Sequence, residues 1–378
     1  MSSSLKIIIS GGGTGGHIFP AIAIANAIKA KRPDADILFV GAKGKMEMEK
    51  VPRAGFKIEG LWISGFQRKL TLRNLLFPVK LLSSLLRASR IIRSFKPDVA
   101  VGVGGYASGP LLEMATRKGI PALIQEQNSY AGVTNRLLAK KVQRICVAYE
   151  NMERYFPQEK LVLTGNPVRS DLTEVPATRE EALAHFGLDP AKKTLLLFGG
   201  SLGARTLNQA MAASTAALRE REDVQVLWQC GRLYVKDFKQ SETAQLPNVQ
   251  MQAFIDRMDL AYKMADLVVC RAGALTISEL QLVGKPAMLV PSPNVAEDHQ
   301  TKNALALVER DAAIMLPDAE AKARMVPEAL ALLDHPERLQ ELATNVYAMA
   351  KTDAAERIAE EVLNLLRNER RDERSEII

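Results

Sequence analysis

The sequence predicts an α/β protein of two doubly wound, Rossmann-like domains facing each other across a cleft. The first reason is the opening: Ile7-Ile8-Ile9-Ser10 is a short apolar, β-branched run of the kind that forms a buried strand. A glycine loop follows, Gly11-Gly12-Gly13-Thr14-Gly15-Gly16-His17, and then Ile18, Ala21, Ile22, Ala25 and Ile28 recur at helical spacing. The second reason is that this unit returns midway, with a strand at 194–198, a loop Gly199-Gly200-Ser201-Leu202-Gly203-Ala204 and a helix from about Arg205. The third is the alternation of strand and helix patterns in between, which is the mark of parallel sheets. A chain of 378 residues has room for two such domains, each with its own core.

Taken in order, the first half offers strands at 6–10, 37–40, 99–103, 122–125, 144–147 and 161–164. Gly11-x-Gly13-x-x-Gly16 fits the dinucleotide fingerprint, and its physics is general: glycines let a backbone approach a diphosphate, and the helix start offers free N–H groups. A nicotinamide cofactor, however, calls for an acid at the end of the second strand, and Phe39-Val40-Gly41-Ala42 has none. A second glycine cluster, Gly102-Val103-Gly104-Gly105-Tyr106, and the polar run Gln125-Glu126-Gln127-Asn128 each follow a strand. They therefore belong on the same sheet edge as the first loop, although Gln and Asn there also suit plain loop capping.

Residues 60–97 carry eight basic side chains and no acid. Leu75, Leu76, Val79, Leu82, Leu85 and Leu86 recur at helical spacing, Arg73, Lys80 and Arg87 lie seven apart, and Pro78 suits a first helical turn. Such a stretch either lies on an anionic membrane or is a core-facing helix with a solvated basic face. Residues 170–179 are poor in apolar side chains and read as a linker.

The second half adds strands at 224–229, 249–252, 267–270 and 287–290. Its densest polar segment, Arg271-Ala272-Gly273-Ala274-Leu275-Thr276-Ile277-Ser278-Glu279, follows a strand and opens a helix, which makes it an anion site by the logic of the first loop. Glu279 lies more than a turn inside that helix, so it either forms a salt bridge or grips a pair of ligand hydroxyls. The loop Glu297-Asp298-His299-Gln300-Thr301-Lys302-Asn303-Ala304 again runs from a strand end into a helix. Residues 336–366 read as helix with a break near 351–353, and 367–378 as a frayed charged tail.

Composition narrows the chemistry. The chain has no signal peptide pattern and no apolar run long enough to span a bilayer. Cys146, Cys230 and Cys270 are far apart and read as reduced, packed thiols, and the four histidines are scattered. Zinc and thiol mechanisms, a GxSxG elbow and a Walker A loop all lack their motifs. Asp34-Ala35-Asp36 has a metal-diphosphate spacing but precedes the second strand, on the wrong sheet edge, so no metal and no cofactor are expected. Residues 1–170 hold 26 Lys/Arg against 11 Asp/Glu, while 171–378 hold 24 against 32, so the first half is the one suited to an anionic surface. Nucleic acid fits less well, for want of interleaved aromatics. What remains is a diphosphate site lined by amides and carboxylates that suit a sugar, the profile of a nucleotide-sugar glycosyltransferase.

Gly12-Gly13-Thr14-Gly15-Gly16-His17, Gly104-Gly105-Tyr106, Glu126-Gln127-Asn128, Gly165-Asn166-Pro167-Val168-Arg169, Gly199-Gly200-Ser201, Ala274-Leu275-Thr276-Ile277-Ser278-Glu279, Asp298-His299-Gln300 and Asn303-Ala304 stand in the order and spacing of the MurG family. The chain resembles that family from about residue 5 to 365. The resemblance implies the GT-B glycosyltransferase fold and transfer of N-acetylglucosamine from UDP-N-acetylglucosamine to the muramyl 4-hydroxyl of undecaprenyl-linked lipid I, giving lipid II. The alternative is another sugar-nucleotide enzyme of the same fold, a lipid glycosyltransferase or an epimerase. It implies an acceptor domain at 1–170 completed by a returning helix at 346–366, and a donor domain at 171–345. Thr14, Gly15, Gly16, Asn128, Arg169, Ser201, Ile255, Ala274 to Glu279 and Gln300 would bind the donor, with the Ile255 backbone on uracil and Glu279 on ribose. Gly104, Gly105, Tyr106, His299 and Asn303 would touch acceptor or sugar. Leu75, Val79, Lys80, Leu82, Arg87 and Lys140 would meet the cytoplasmic face of the bacterial plasma membrane, alongside cell-wall synthesis proteins. His17 is the candidate base, its bland reading being a structural or ligand-binding histidine at a helix start.

Overall fold

The computed structural model describes residues 4–64, 76–168, 172, 176–200, 202–295 and 298–375, the side chains of 367–375 excepted. It divides into two compact units, Met1–Arg169 with Asp353–Ile378, and Ser170–Thr352.

The first unit holds seven strands: β1 (Lys6–Ser10), β2 (Asp36–Ala42), β3 (Lys57–Leu61), β4 (Val99–Gly102), β5 (Ala122–Glu126), β6 (Arg144–Val147) and β7 (Leu161–Leu163). The second holds β8 (Lys193–Phe198), β9 (Val224–Gln229), β10 (Val249–Gln252), β11 (Leu267–Cys270), β12 (Ala287–Leu289) and β13 (Ile314–Met315). All pairs are parallel, in the orders β3-β2-β1-β4-β5-β6-β7 and β10-β9-β8-β11-β12-β13. The order reverses between β1 and β4 in one sheet and between β8 and β11 in the other. At such a switch point neighbouring loops leave in opposite directions and open a crevice at the strands' carboxyl ends. The Gly11 and Val103 loops flank the first switch point, and the Gly199 and Arg271 loops the second.

Central strands such as Ile7-Ile8-Ile9 are buried on both faces, as a sheet covered on both sides requires. β3 and β13 lie outside the sequence expectation. Both are edge strands, one carrying Lys57 and Glu59 and the other only two residues long, the short and charged character that protects a sheet edge.

One face of the first sheet is closed by the helices Gly15–Lys31 and Ala354–Ser375. Ile358, Ala359, Val362 and Leu365 enter the same core cluster as Ile7, Ile9, Ile18, Ile24 and Phe39. The returning segment begins at Asp353 and not at 346, because the preceding helix Pro336–Ala348 stays with the second unit, where Leu342 is part of the core. The final helix also runs on to Ser375, past 366, since Arg and Glu are good helix formers. The helix Phe77–Phe95 starts with Pro78 in its first turn as expected, and Arg179–Phe186 starts from a Thr178–Glu181 capping box at the end of the linker. Among the described residues no helix is long and apolar enough to cross a membrane.

Candidate active site

At the first switch point the loop after β1 is built against two partners. From below comes Glu47, fully buried at the start of the helix Glu47–Arg53. Its Oε2 accepts from Gly13 N–H at 3.0 Å and its Oε1 from Ala42 N–H at 3.0 Å. A Cβ on Gly12 would fall on this carboxylate, so a side chain there is excluded. Sequence reasoning passes over Glu47, since an acid at a helix start reads as ordinary dipole complementarity. From the side comes the loop after β4. Gly104 and Gly105 hold φ of +95° and +89°, and Gly105 lies directly on the Gly12 carbonyl.

His17 sits between these loops. Its Nδ1 lies 3.1 Å from the Gly12 carbonyl and 3.2 Å from Thr14 Oγ1. A carbonyl oxygen only accepts, so Nδ1 carries the hydrogen and the neutral ring keeps its lone pair on Nε2. A Cβ on Gly104 would stand 2.6 Å from the ring's Cδ2 and 2.8 Å from Nε2. Tyr106 is half exposed, its ring 3.9 Å from where a Gly13 Cβ would be. His17, Thr14, Gly104 and Tyr106 thus share one sheet edge with the first-turn amides of Gly15 and Gly16.

The polar run after β5 divides into braces and one presented residue. Gln125 Nε2 donates to Asn166 Oδ1 (3.0 Å), Gln127 Nε2 to the Val103 carbonyl (2.8 Å), and Asn166 Nδ2 to the Gln127 carbonyl (3.0 Å). These buried amides pin the ends of β4, β5 and β7 together. Glu126, also buried, accepts from the N–H and Nδ2 of Asn128, from Gly132 N–H and from Asn135 Nδ2. Asn128 is left half-buried at the surface of that network, held in place by a filled carboxylate.

In the second unit the helix Ala274–Val283 starts at Gly273 without a side-chain cap. Of its first residues, Leu275, Thr276 and Glu279 are half-buried, whereas Ala274, Ile277 and Ser278 are buried. Ser278 Oγ bonds back to the Ala274 carbonyl at 3.1 Å. Ile277 and Ser278 therefore face the interior, and what this turn offers a ligand is backbone N–H. Tyr262 Oη donates to Glu279 Oε2 at 2.9 Å, which orients that carboxylate. Arg271, read from sequence as the start of an anion site, is a brace: its Nη1 bonds the Val290 and Pro291 carbonyls and pairs with Asp318, which accepts from Thr206.

Gln229 joins two expected donor segments, accepting from Ile255 N–H at 2.8 Å and donating to the Gly200 carbonyl at 3.1 Å. A base reading the Ile255 backbone meets an N–H already engaged by that amide. Gln300 Oε1 accepts from Ser292 N–H at 2.8 Å, and Asn303 is wholly buried with Nδ2 on the Ala272 carbonyl. His299 opens the helix His299–Val308 behind Asp298, whose φ is +53°. Arg169, Ser201 and Leu75 lie outside the described residues.

On the helix Phe77–Phe95 the inward residues are Ser84, Ala88, Ile91 and Ile92, while Leu76, Val79, Leu82 and Leu86 are 49–61% exposed. A core-facing role for those four is excluded, and they make an apolar surface stripe. Lys80 lies 5.7 Å over the exposed Trp62 ring and donates to Ser64, Arg87 pairs with Glu59, and Lys140 is exposed.

Asp34 is forked by Arg32 through bonds of 2.9 and 2.8 Å, which hold its carboxyl below the usual range. Burial pushes the Cys146 and Cys270 thiols well up, away from nucleophilic character.

Residues 7–147 match the glycosyltransferase family 28 N-terminal domain and 194–358 the family 28 C-terminal domain. The chain is 58% identical over 363 residues to the UDP-N-acetylglucosamine–N-acetylmuramyl-(pentapeptide) pyrophosphoryl-undecaprenol N-acetylglucosamine transferase of Parabacteroides distasonis, covering 96% of this chain and 98% of that one. It is 55% identical to the protein of the same name from Cytophaga hutchinsonii, covering 97% and 98%. Among solved structures it is similar to Acinetobacter baumannii MurG, with a TM-score of 0.73, 28% identity and coverage of 96% and 99%. A UDP-GlcNAc 2-epimerase from Neisseria meningitidis shares the fold at 14% identity and a TM-score of 0.70, covering 95% and 100%.

Proposed function

The chain belongs to glycosyltransferase family 28, in its MurG group, and we propose that it moves N-acetylglucosamine from UDP-N-acetylglucosamine to the muramyl 4-hydroxyl of undecaprenyl-linked lipid I, giving lipid II. The observation that carries this reading is near-full-length identity, 58% across both sheet units, to a protein bearing that activity in its name.

The chemistry is one inverting displacement. The acceptor O–H loses its proton to His17 Nε2 as its oxygen bonds the anomeric carbon, and the bond from that carbon to the diphosphate oxygen breaks with its electron pair leaving on UDP. His17 is suited to the role because the Gly12 carbonyl sets the tautomer with Nε2 unprotonated. Charge growing on the diphosphate is met by the backbone N–H groups that begin the helix Ala274–Val283, at the switch point shared with the loop after β8. The family resemblance assigns Ser201 and Arg169 to the same charge. Glu279, oriented by Tyr262, takes the ribose hydroxyls, and Gln300 the amino sugar.

The decisive assay is UDP release. It is expected only when UDP-N-acetylglucosamine and a lipid I analogue are both present; conversion of the donor alone would favour an epimerase. Glu279→Ala is expected to weaken donor binding about 10- to 100-fold by calorimetry, the worth of one or two hydrogen bonds to a charged group. An unchanged Kd would remove Glu279 from the ribose.

The exposed stripe Leu76, Val79, Leu82 and Leu86, with Lys80 and Lys140 near it in sequence or on the same unit, is proposed to seat the protein on the anionic cytoplasmic surface of the membrane, where cell-wall synthesis proteins would be its neighbours. Burying one Val or Leu contributes about 1.5–3 kcal/mol, so a Val79→Glu, Leu82→Glu double variant should bind anionic vesicles at least about 100-fold more weakly. Turnover of a soluble acceptor should stay at the parent level; retained vesicle binding would rule the stripe out.

A further inference from the structure

We propose that Glu47 is a positioning residue that acts on His17 through a single peptide group. The Gly12–Gly13 peptide is bonded at both ends: its N–H donates to Glu47 Oε2 at 3.0 Å, and its carbonyl lies 3.1 Å from His17 Nδ1. An amide that gives its N–H to an anion carries more negative charge on its oxygen, so each bond strengthens the other. The Gly12 carbonyl is thereby a stronger acceptor for the Nδ1 hydrogen than an ordinary peptide. The series carboxylate, peptide, imidazole does with one intervening amide what a direct Asp–His contact does in a Ser-His-Asp site: it holds the tautomer, aims the ring and favours the imidazolium that forms when Nε2 takes a proton.

The surroundings are built for this. Glu47 cannot swing, because its other oxygen is held by Ala42 N–H at 3.0 Å. Its side chain occupies space that only glycine leaves open at Gly12 and Gly41. A fully buried carboxylate is costly, and here it is offset by two backbone N–H bonds at a helix start. Among the described residues, Glu47 lies against the loop from beneath and the Tyr106 phenol from the β4 side. On the helix Gly15–Lys31 and its neighbour Ala354–Ser375, Lys31 and Glu360 pair with each other at 2.7 Å, about four turns from His17.

The inference rests on His17 being the base, so its test has a part that does not depend on activity. Imidazole-labelled full-length protein, read by nitrogen NMR, should show neutral His17 with its hydrogen on Nδ1; a hydrogen on Nε2 overturns the proposal. In the UDP-release assay Glu47→Gln should lower kcat about tenfold or more while KM for UDP-N-acetylglucosamine stays within about twofold. Losing a nearby negative charge disfavours the imidazolium, so the acid limb of kcat/KM should move to lower pH. Added to His17→Ala, the Glu47 change should cost nothing further. An unmoved acid limb, or a full additional loss in the double variant, makes Glu47 a structural brace only and overturns the proposal. If Glu47→Gln does not fold, the parent's NMR tautomer decides. If His17→Ala keeps full turnover, the base reading falls while the tautomer result is still read independently.

Discussion

His17→Ala should lower kcat by about two to four orders of magnitude, the usual contribution of a positioned general base. The donor Kd should change by no more than about twofold, because the uridine and ribose are assigned to the other unit and uniform binding is not what the imidazole supplies. The split is the informative part. A histidine that only caps the helix Gly15–Lys31 would lower stability and leave kcat near the parent value. One that only binds ligand would raise KM or Kd and spare kcat. Steady-state kinetics with donor and acceptor varied separately, beside a thermal melt, distinguish the three. Parental turnover in a folded His17→Ala protein would end the assignment.

Gly104→Ala should produce almost as large a loss from a residue with no functional group. The new Cβ would stand 2.8 Å from His17 Nε2, and φ of +95° is strained for any L side chain by about 1–3 kcal/mol. The atom it meets belongs to a side chain, which can rotate away, so the protein should fold with its imidazole displaced. A displacement of about 1 Å can cost about 100-fold in rate. Gly105→Ala makes the contrast: its Cβ meets the Gly12 carbonyl, which is backbone and cannot yield without moving the loop. That variant should lose more stability than Gly104→Ala. Melting temperatures and kcat measured on both variants test this, and equal melting temperatures with full activity in Gly104→Ala would show that Nε2 is not where the reaction occurs.

How much of this is legible in the residues themselves depends on the range of the interaction. β1, β6, β9 and β11 fall at the expected limits because runs such as Ile7-Ile8-Ile9 and Leu267-Val268-Val269-Cys270 suit only a strand buried on both faces. The edge strands β3 and β13 escape notice because one is interrupted by Lys57, Glu59 and Gly60 and the other is two residues long, whereas the edges β7 and β10 keep the apolar run Leu161-Val162-Leu163 and the alternation of Val249 and Met251. The stretch at 76–86 reads as amphipathic either way. Leucine and valine at helical spacing look the same whether they face a core or solvent, and it took the packing of Ser84, Ala88, Ile91 and Ile92 to show which face is buried.

The same division runs through the site. Strand, glycine loop and helix are local, so the chain alone foretells both switch-point loops, the need for glycine in them and a histidine at the first helix start. Sorting the polar side chains into those that brace and those that meet a ligand is not local. Glu47 reaches Gly13 across 34 residues, Gln125 reaches Asn166 across 41, and Arg271 reaches Asp318 across 47. Each partner is supplied by another strand's loop, one strand over for Glu47 and two strands over for Asn166 and Asp318, and strand order is settled by packing the whole sheet. A residue list therefore cannot tell the buried Asn303 from the half-exposed Asn128, or see that a buried carboxylate lies behind the peptide that holds His17.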